Sequence, residues 1–179
     1  MSLQRPKCPA SLRPRLLLRC AIAALGLAGI GTSQAAGDYP LIGQPAPDFA
    51  LHALVGGNVR LSEHRGEVVV ISFWRSSCSA CRGQLAALDR SLDTYHAAGL
   101  SMYGINIDGN PRRARRAAGN LAFALLLDPQ RLVSRKYDID YLPTTVLIDR
   151  SGTVRYALRN FNAKSEARYL QQLRALLDE

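Results

Sequence analysis

An α/β fold, with a central mixed β-sheet flanked by helices, is predicted by three observations on this 179-residue chain. Residues 68–73, Val-Val-Val-Ile-Ser-Phe, form an apolar run broken only by Ser72, the pattern of a strand buried on both faces. Leu85, Leu88, Leu92 and Tyr95 then recur at helical spacing over residues 80–97, and Gly99 stops that helix. Beyond it, apolar strand-like runs and short helical stretches keep alternating, which builds a sheet covered by helices.

The elements follow in order. Residues 38–47 are a proline-rich lead-in, and residues 49–54 and 58–61 flank Gly56-Gly57 as an N-terminal β-hairpin. After the central strand and the first helix come a strand at 100–107, a short helix at 111–118, a strand at 123–127 and one or two helical turns at 130–137. Residues 144–149 and 153–158, joined by Arg150-Ser151-Gly152, read as an antiparallel hairpin. Residues 164–177 close the chain as a helix with Tyr169, Leu170, Leu173, Leu176 and Leu177 on one face. No repeat or low-complexity linker interrupts this series.

The first 35 residues have a different composition. Arg5, Lys7, Arg13, Arg15 and Arg19 precede an apolar run at 20–30, and Ser33-Gln34-Ala35 supplies the small residues of a signal-peptidase site. The run is short of the roughly 20 residues that span a bilayer. Cleavage after Ala35 is expected, with an uncleaved anchor as the alternative; Arg19 in front of Cys20 argues against lipid attachment there. The exported chain is then a single domain at 36–179, large enough for a real core. Its location is expected to be the periplasm.

Of the four cysteines, only Cys78 and Cys81 survive that cleavage. They stand in Cys78-Ser79-Ala80-Cys81, directly after the central strand and at the start of the first helix. That spacing places two sulfurs one helical turn apart, close enough to join. The helix start favours a thiolate on the first cysteine, so Cys78 reads as a nucleophile and Cys81 as the thiol that resolves its mixed disulfide. A structural bridge is disfavoured, because the loop it closes is too small to stabilise much. A zinc site is disfavoured too, since His52, His64 and His96 are scattered without ligand spacing. No metal and no cofactor is expected.

Charge narrows the partners. The net +9 falls to +4 when the leader, with five of the 23 basic residues and none of the 14 acidic ones, is removed. Arg112, Arg113, Arg115 and Arg116 form the one basic cluster, read as a solvated helix face or a docking site for an acidic partner. With no aromatic residue interleaved, nucleic acid is not an expected ligand.

Several segments together resemble the thioredoxin-like thiol-disulfide oxidoreductases of the exported TlpA and ResA type, within the AhpC/TSA-redoxin superfamily. They are Gly43-Gln44-Pro45-Ala46-Pro47-Asp48-Phe49-Ala50-Leu51, the stretch from Ser72 to Arg82, and Leu142-Pro143-Thr144-Thr145-Val146-Leu147-Ile148-Asp149. The resemblance covers nearly all of the exported chain and includes the helix and strand inserted before Pro143. It implies a thioredoxin-like fold, a cis bond at Pro143 opposite the cysteines, and a docking face where Leu142 offers its backbone to a client peptide. Trp74 is expected either to present its ring on that face or to be a core aromatic.

The chain also departs from the family pattern. Ser77 replaces an aromatic residue before Cys78, Ser79-Ala80 replaces a Pro-Pro pair, Ser72 stands where thioredoxin has a buried acid, and Gln84 stands where relatives often have Glu. Arg75 and Arg82 flank the motif and favour the Cys78 thiolate if they reach it. Arg75 also occupies the place of the threonine that a peroxiredoxin needs. The resemblance implies a monomeric periplasmic enzyme that reduces disulfides of exported clients, of the cytochrome c or copper-site maturation type, with electrons from a membrane thiol donor. A disulfide-introducing oxidase and a non-catalytic module that binds peptide or metal remain open.

Overall fold

The computed structural model describes residues 39–179; the leader read at residues 1–35, with Cys8 and Cys20, lies outside them. A two-stranded hairpin, β1 (Ala50–His52) and β2 (Asn58–Arg60), precedes the main sheet. It is shorter than the sequence pattern predicts. The Ala53 N–H still donates to the Gly57 carbonyl at 3.1 Å, but Ala53 and Leu54 also pair with the strand at the sheet's edge: Ala53 bridges Leu126, and the Leu54 N–H donates to the Leu125 carbonyl at 2.7 Å. Two residues of the expected strand thus cover an edge that would otherwise expose unpaired backbone.

The central strand is β3 (Val68–Trp74), with all seven residues buried. Successive side chains take opposite faces. Val69, Ile71 and Phe73 join one core, and Val68, Val70 and Trp74 the other. On one side β3 pairs in parallel with β4 (Leu100–Asn106), which pairs in parallel with β5 (Ala124–Leu127). On its other side β3 runs antiparallel to β6 (Thr144–Ile148), followed by β7 (Val154–Arg159), giving the order β5-β4-β3-β6-β7. Gly43 and Ala46 of the lead-in hydrogen-bond Val154 and Gly152, so the other edge is also partly covered.

Helices α1 (Ser79–Tyr95) and α4 (Ala163–Leu177) pack on one face of the sheet. Their contacts use the residues that the helical spacing selects: Leu85, Leu88 and Leu92 from α1, and Tyr169, Leu173 and Leu176 from α4, all buried. A 3-10 turn, His96–Ala98, finishes α1, and Gly99 at φ 86 reverses the chain. Asn162 and Ser165 form a reciprocal capping box at the start of α4. The opposite face is covered by the lead-in, the hairpin and α3 (Leu132–Lys136), through Phe49, Leu61, Val133 and Tyr137.

Helix α2 (Pro111–Ala118) has the expected bounds, with Asn110 capping the Arg113 N–H at 3.0 Å. Helix α3 is shorter than the stretch 130–137 suggests. Left-handed backbone at Arg131 (φ 57) and Asp138 (φ 49) brackets it, and the buried Asp128 carboxylate accepts the Val133 and Ser134 N–H groups. Gly104 of β4 is required by a close approach, since a Cβ there would lie 2.7 Å from Leu125 Cδ2 and 3.3 Å from Trp74 Nε1.

Candidate active site

The register of the sheet assembles the site. Strand β3 ends at Trp74, whose carbonyl accepts the Ile107 N–H just past the end of β4. Phe73 lies opposite Thr144 at the start of β6, so Pro143 falls beside the exit of β3. Three segments therefore meet at one end of the sheet: the loop 75–78, the residues after β4, and the Leu142–Pro143 bond. Open α/β sheets place their sites at such strand ends.

Cys78 is the N-cap of α1, in extended backbone, and its Sγ accepts the Cys81 N–H at 3.0 Å. A sulfur here takes the place of the hydroxyl or carboxylate that usually satisfies a free N–H at a helix start. Cys78 and Cys81 form a disulfide with S–S 2.06 Å and Cα–Cα 5.2 Å. Cys78 is half-buried and Cys81 fully buried, against the core that holds Trp74 and Leu85.

Ser72 and Gln84, which depart from the buried acid of thioredoxin and the Glu of many relatives, lie together beneath the site. The Ser72 hydroxyl donates to Gln84 Oε1 at 3.0 Å, and both residues are buried. Gln84 also borders a cavity of about 10 Å³, room for one water. Thr145, whose buried Oγ1 has no protein partner among the described residues, borders it too. This neutral pair is satisfied without the cost of burying a charge.

The Leu142–Pro143 peptide is cis, as the resemblance implies. Leu142 is half-buried and Pro143 buried, and the Pro143 carbonyl accepts the Asn160 N–H at 3.1 Å. Among the described residues the Leu142 N–H and carbonyl have no backbone partner. Trp74 requires a correction: it is 0 % exposed and cannot present its ring to a client. The alternation of β3 turns it onto the α1 face, where the missing Cβ of Gly104 leaves room for the indole.

Arg82 is exposed and donates to the Ser76 carbonyl at 3.5 Å, whereas Arg75 is half-buried with Nε unpartnered. The residue that sequence reasoning missed is Asp108. Its Oδ2 accepts the Ser76 N–H at 2.7 Å, two residues before Cys78, while Oδ1 accepts the Asn110 N–H at 3.4 Å. The sequence offered only a carboxylate just past the end of a strand; its partner follows from the parallel register of β3 and β4. Burial raises its pKa, but the hydrogen bonds from Ser76, Asn110 and Asn106 outweigh this and hold it below the usual carboxylate range.

A five-stranded mixed sheet with a disulfide at the start of its first long helix and a cis-proline beside it defines the thioredoxin-like thiol-disulfide oxidoreductases. The AhpC/TSA family model matches residues 42–157, and the chain belongs to that family. It is 30% identical to the thiol-disulfide oxidoreductase ResA of Geobacillus kaustophilus over 89% of this chain and 97% of that one. It is 29% identical to ResA of Geobacillus thermodenitrificans over 85% and 91% of the two chains. Among solved structures, it superposes on a Chlorobium tepidum protein described as a thiol:disulfide interchange protein DsbE. That match has a TM-score of 0.73 at 32% identity and covers 76% of this chain and 97% of the other. The chain is a thiol-disulfide oxidoreductase of the ResA and DsbE type, an enzyme whose partners carry thiols or disulfides.

Asp108→Ala leaves the Ser76 N–H without its acceptor and is expected to cost about 1–3 kcal/mol, read by urea unfolding at neutral pH. Asp108→Asn keeps an acceptor and should cost less. Because the folded pKa of Asp108 is depressed, the stabilisation is fully present above the unfolded value near ~4 and fades as pH falls through the folded value. The gap between wild type and Asp108→Asn should therefore shrink on acidification below about pH 4; a gap independent of pH would exclude a charged clamp.

Proposed function

We propose that this chain is a periplasmic reductase of disulfides in exported client proteins, of the cytochrome c or copper-site maturation type. The observation that carries this reading is the unequal exposure of the two cysteines, with Cys78 half-buried at the helix start and Cys81 0 % exposed one turn further in. In the reduced protein the Cys78 thiolate is the accessible nucleophile, favoured by the Cys81 N–H and by the positive end of the α1 dipole. It attacks one sulfur of a client disulfide, expels the other as a thiolate and forms a mixed disulfide. The Cys81 thiolate then attacks Cys78 Sγ and releases the second client thiolate. Two electrons pass to the client, solvent protons complete its thiols, and the Cys78–Cys81 disulfide remains. A membrane thiol donor restores the dithiol by the reverse exchange. Both electrons reside in the sulfur pair, so the cycle needs no cofactor and no metal.

Leu142 and Pro143 form the client-binding edge in this reading. The unpaired backbone of Leu142 pairs with an extended client segment as an added strand would, and the buried Pro143 fixes the path of the chain beside it. Residues 1–35 act as a cleaved leader and residues 36–179 as one monomeric thioredoxin-like domain. Among the described residues no helix is long and apolar enough to cross a membrane, so retention by an anchor would rest on the leader.

Thiol roles are tested by trapping. Cys81→Ser should accumulate mixed disulfides with client proteins on non-reducing gels, because the Cys78 adduct is not resolved; Cys78→Ser should accumulate few. Equal trapping by the two variants sinks the assignment.

Direction is tested by equilibration with glutathione redox buffers. Reductants lie near about −270 mV and a strong oxidant near about −120 mV. Arg75 and Arg82, worth on the order of 1 kcal/mol each at a solvated site, move the pair by only tens of millivolts, since about 30 mV corresponds to 1.4 kcal/mol for two electrons. A potential more reducing than about −180 mV is expected. A value near the oxidising extreme reassigns the chain as a disulfide-introducing oxidase.

Location is tested by N-terminal sequencing of the expressed protein. The expected first residue is Ala36, with the protein in the soluble periplasmic fraction; a full-length species released only by detergent would show the leader retained as an anchor.

A further inference from the structure

Helix α2 carries a charge pattern that its own folding opposes. Arg112, Arg113, Arg115 and Arg116 fill four of its eight positions and are all exposed, while Ala114 alone is fully buried. Arg112 and Arg113 sit in the first turn, where the helix dipole disfavours cations, and that turn contains no acidic residue. Arg112 with Arg115, Arg112 with Arg116, and Arg113 with Arg116 are like-charge pairs at helical spacing, each destabilising. Arg60, Arg90, Arg155 and Arg159 each have a carboxylate within ion-pair distance, but among the described residues none of the four α2 arginines does. A local conflict of this kind is expected where function requires it.

The arginines also surround a shaped space. Arg112, Arg115 and Arg116 line an open hollow of about 820 Å³ with Gly119 and Asn120. A second hollow of about 330 Å³ shares Arg115, Gly119 and Asn120, and its wall includes Val55, Leu121 and Leu125. Val55 is 76 % exposed. At the seam, Arg115 Nη2 donates to the Leu54 carbonyl at 2.7 Å, which holds this guanidinium in place before any partner arrives.

We propose that this double hollow receives an acidic segment of a protein partner, with its carboxylates on the α2 arginines and an apolar side chain against Val55 and Leu121. The guanidinium fork matches a carboxylate in a paired, two-bond geometry. Arg115 and the apolar residues Val55, Leu121 and Leu125 adjoin in the second hollow, so cations and an apolar contact lie within reach of one short acidic segment. Single-stranded nucleic acid would need exposed aromatic residues for its bases, and Phe123, which borders the second hollow, is buried. The hollow is also tied to the redox site: Asn110 caps α2, and Asp108 holds the Ser76 N–H beside Cys78. The proposal rests on the reading that the chain exchanges thiols with proteins, and it adds the chemistry by which such a partner is selected.

The test is a titration of the oxidised chain with a synthetic peptide carrying four glutamates around one leucine, and with its counterpart carrying four lysines. The acidic peptide should bind, about tenfold or more weakly at high salt than at low salt, and the basic peptide should not. Arg112→Glu/Arg116→Glu should abolish this binding while leaving exchange with the small neutral disulfide of 2-mercaptoethanol unchanged. Should that variant fold poorly, Arg112→Gln/Arg116→Gln, checked by circular dichroism, should weaken binding in the same direction. Equal binding of both peptides, or binding indifferent to the substitutions, overturns the proposal. Binding to phosphatidylglycerol vesicles without binding to the acidic peptide overturns it in favour of a membrane surface. Failure of the thiol-exchange reading shows separately, as an absence of trapped proteins in Cys81→Ser.

Discussion

Strand β3 has all seven residues buried, so its two faces must be covered by different layers, and only its end can deliver reactive groups to solvent. Parallel pairing with β4 and antiparallel pairing with β6 then decide what meets that end. A parallel neighbour brings its own C-terminal end, hence Asp108; an antiparallel neighbour brings its N-terminal end, hence Pro143. The mixed character of the sheet is what sets a helix start, a carboxylate and a cis-proline around one disulfide.

The electrostatics of the site follow from which groups are charged and where. Below the disulfide the chain places a hydroxyl and an amide, Ser72 and Gln84, which satisfy each other and cannot accept the proton of a buried thiol. In the loop, Asp108 is committed to backbone N–H groups, so its charge is spent on holding the chain before Cys78. Thiolate stabilisation then falls to the start of α1, where Cys78 Sγ accepts the Cys81 N–H. In the proposed cycle the proton of Cys81 therefore leaves through water.

Much of this was legible in the sequence because its signals are local. The apolar run at 68–73, the leucine spacing of α1, the hairpin around Gly152 and the C-x-x-C pair each report on a few neighbouring residues, and the structure places them as expected. What escaped depends on distant partners. Nothing near Ala53 and Leu54 indicates that they reach the edge of β5. Trp74 continues a strand buried on both sides, so alternation assigns it a face but cannot say whether that face is open. Its place depends on Gly104, 30 positions away, where a Cβ would lie 3.3 Å from the indole nitrogen. Asp108 is an unremarked carboxylate until the parallel register of β3 and β4 sets it against Ser76. The Leu142–Pro143 bond was legible only through resemblance, since residues alone do not fix the isomer.

The loop 107–110 shows how few residues connect the recognised chemistry to the unrecognised surface. Ile107 donates to the Trp74 carbonyl, Asp108 clamps Ser76, and Asn110 caps α2, so three residues of one short loop bind the end of β3, the cysteine loop and the arginine helix. A partner held on α2 would therefore sit on an element tied to the loop before Cys78 by hydrogen bonds rather than by a flexible linker. Rigid anchoring preserves the geometry between docking and exchange, so that contacts made at the arginines reduce the freedom a client disulfide must lose at Cys78. Selection of partners can then lie in the charged helix, and the exchange itself in the neutral, largely apolar surroundings of the sulfurs.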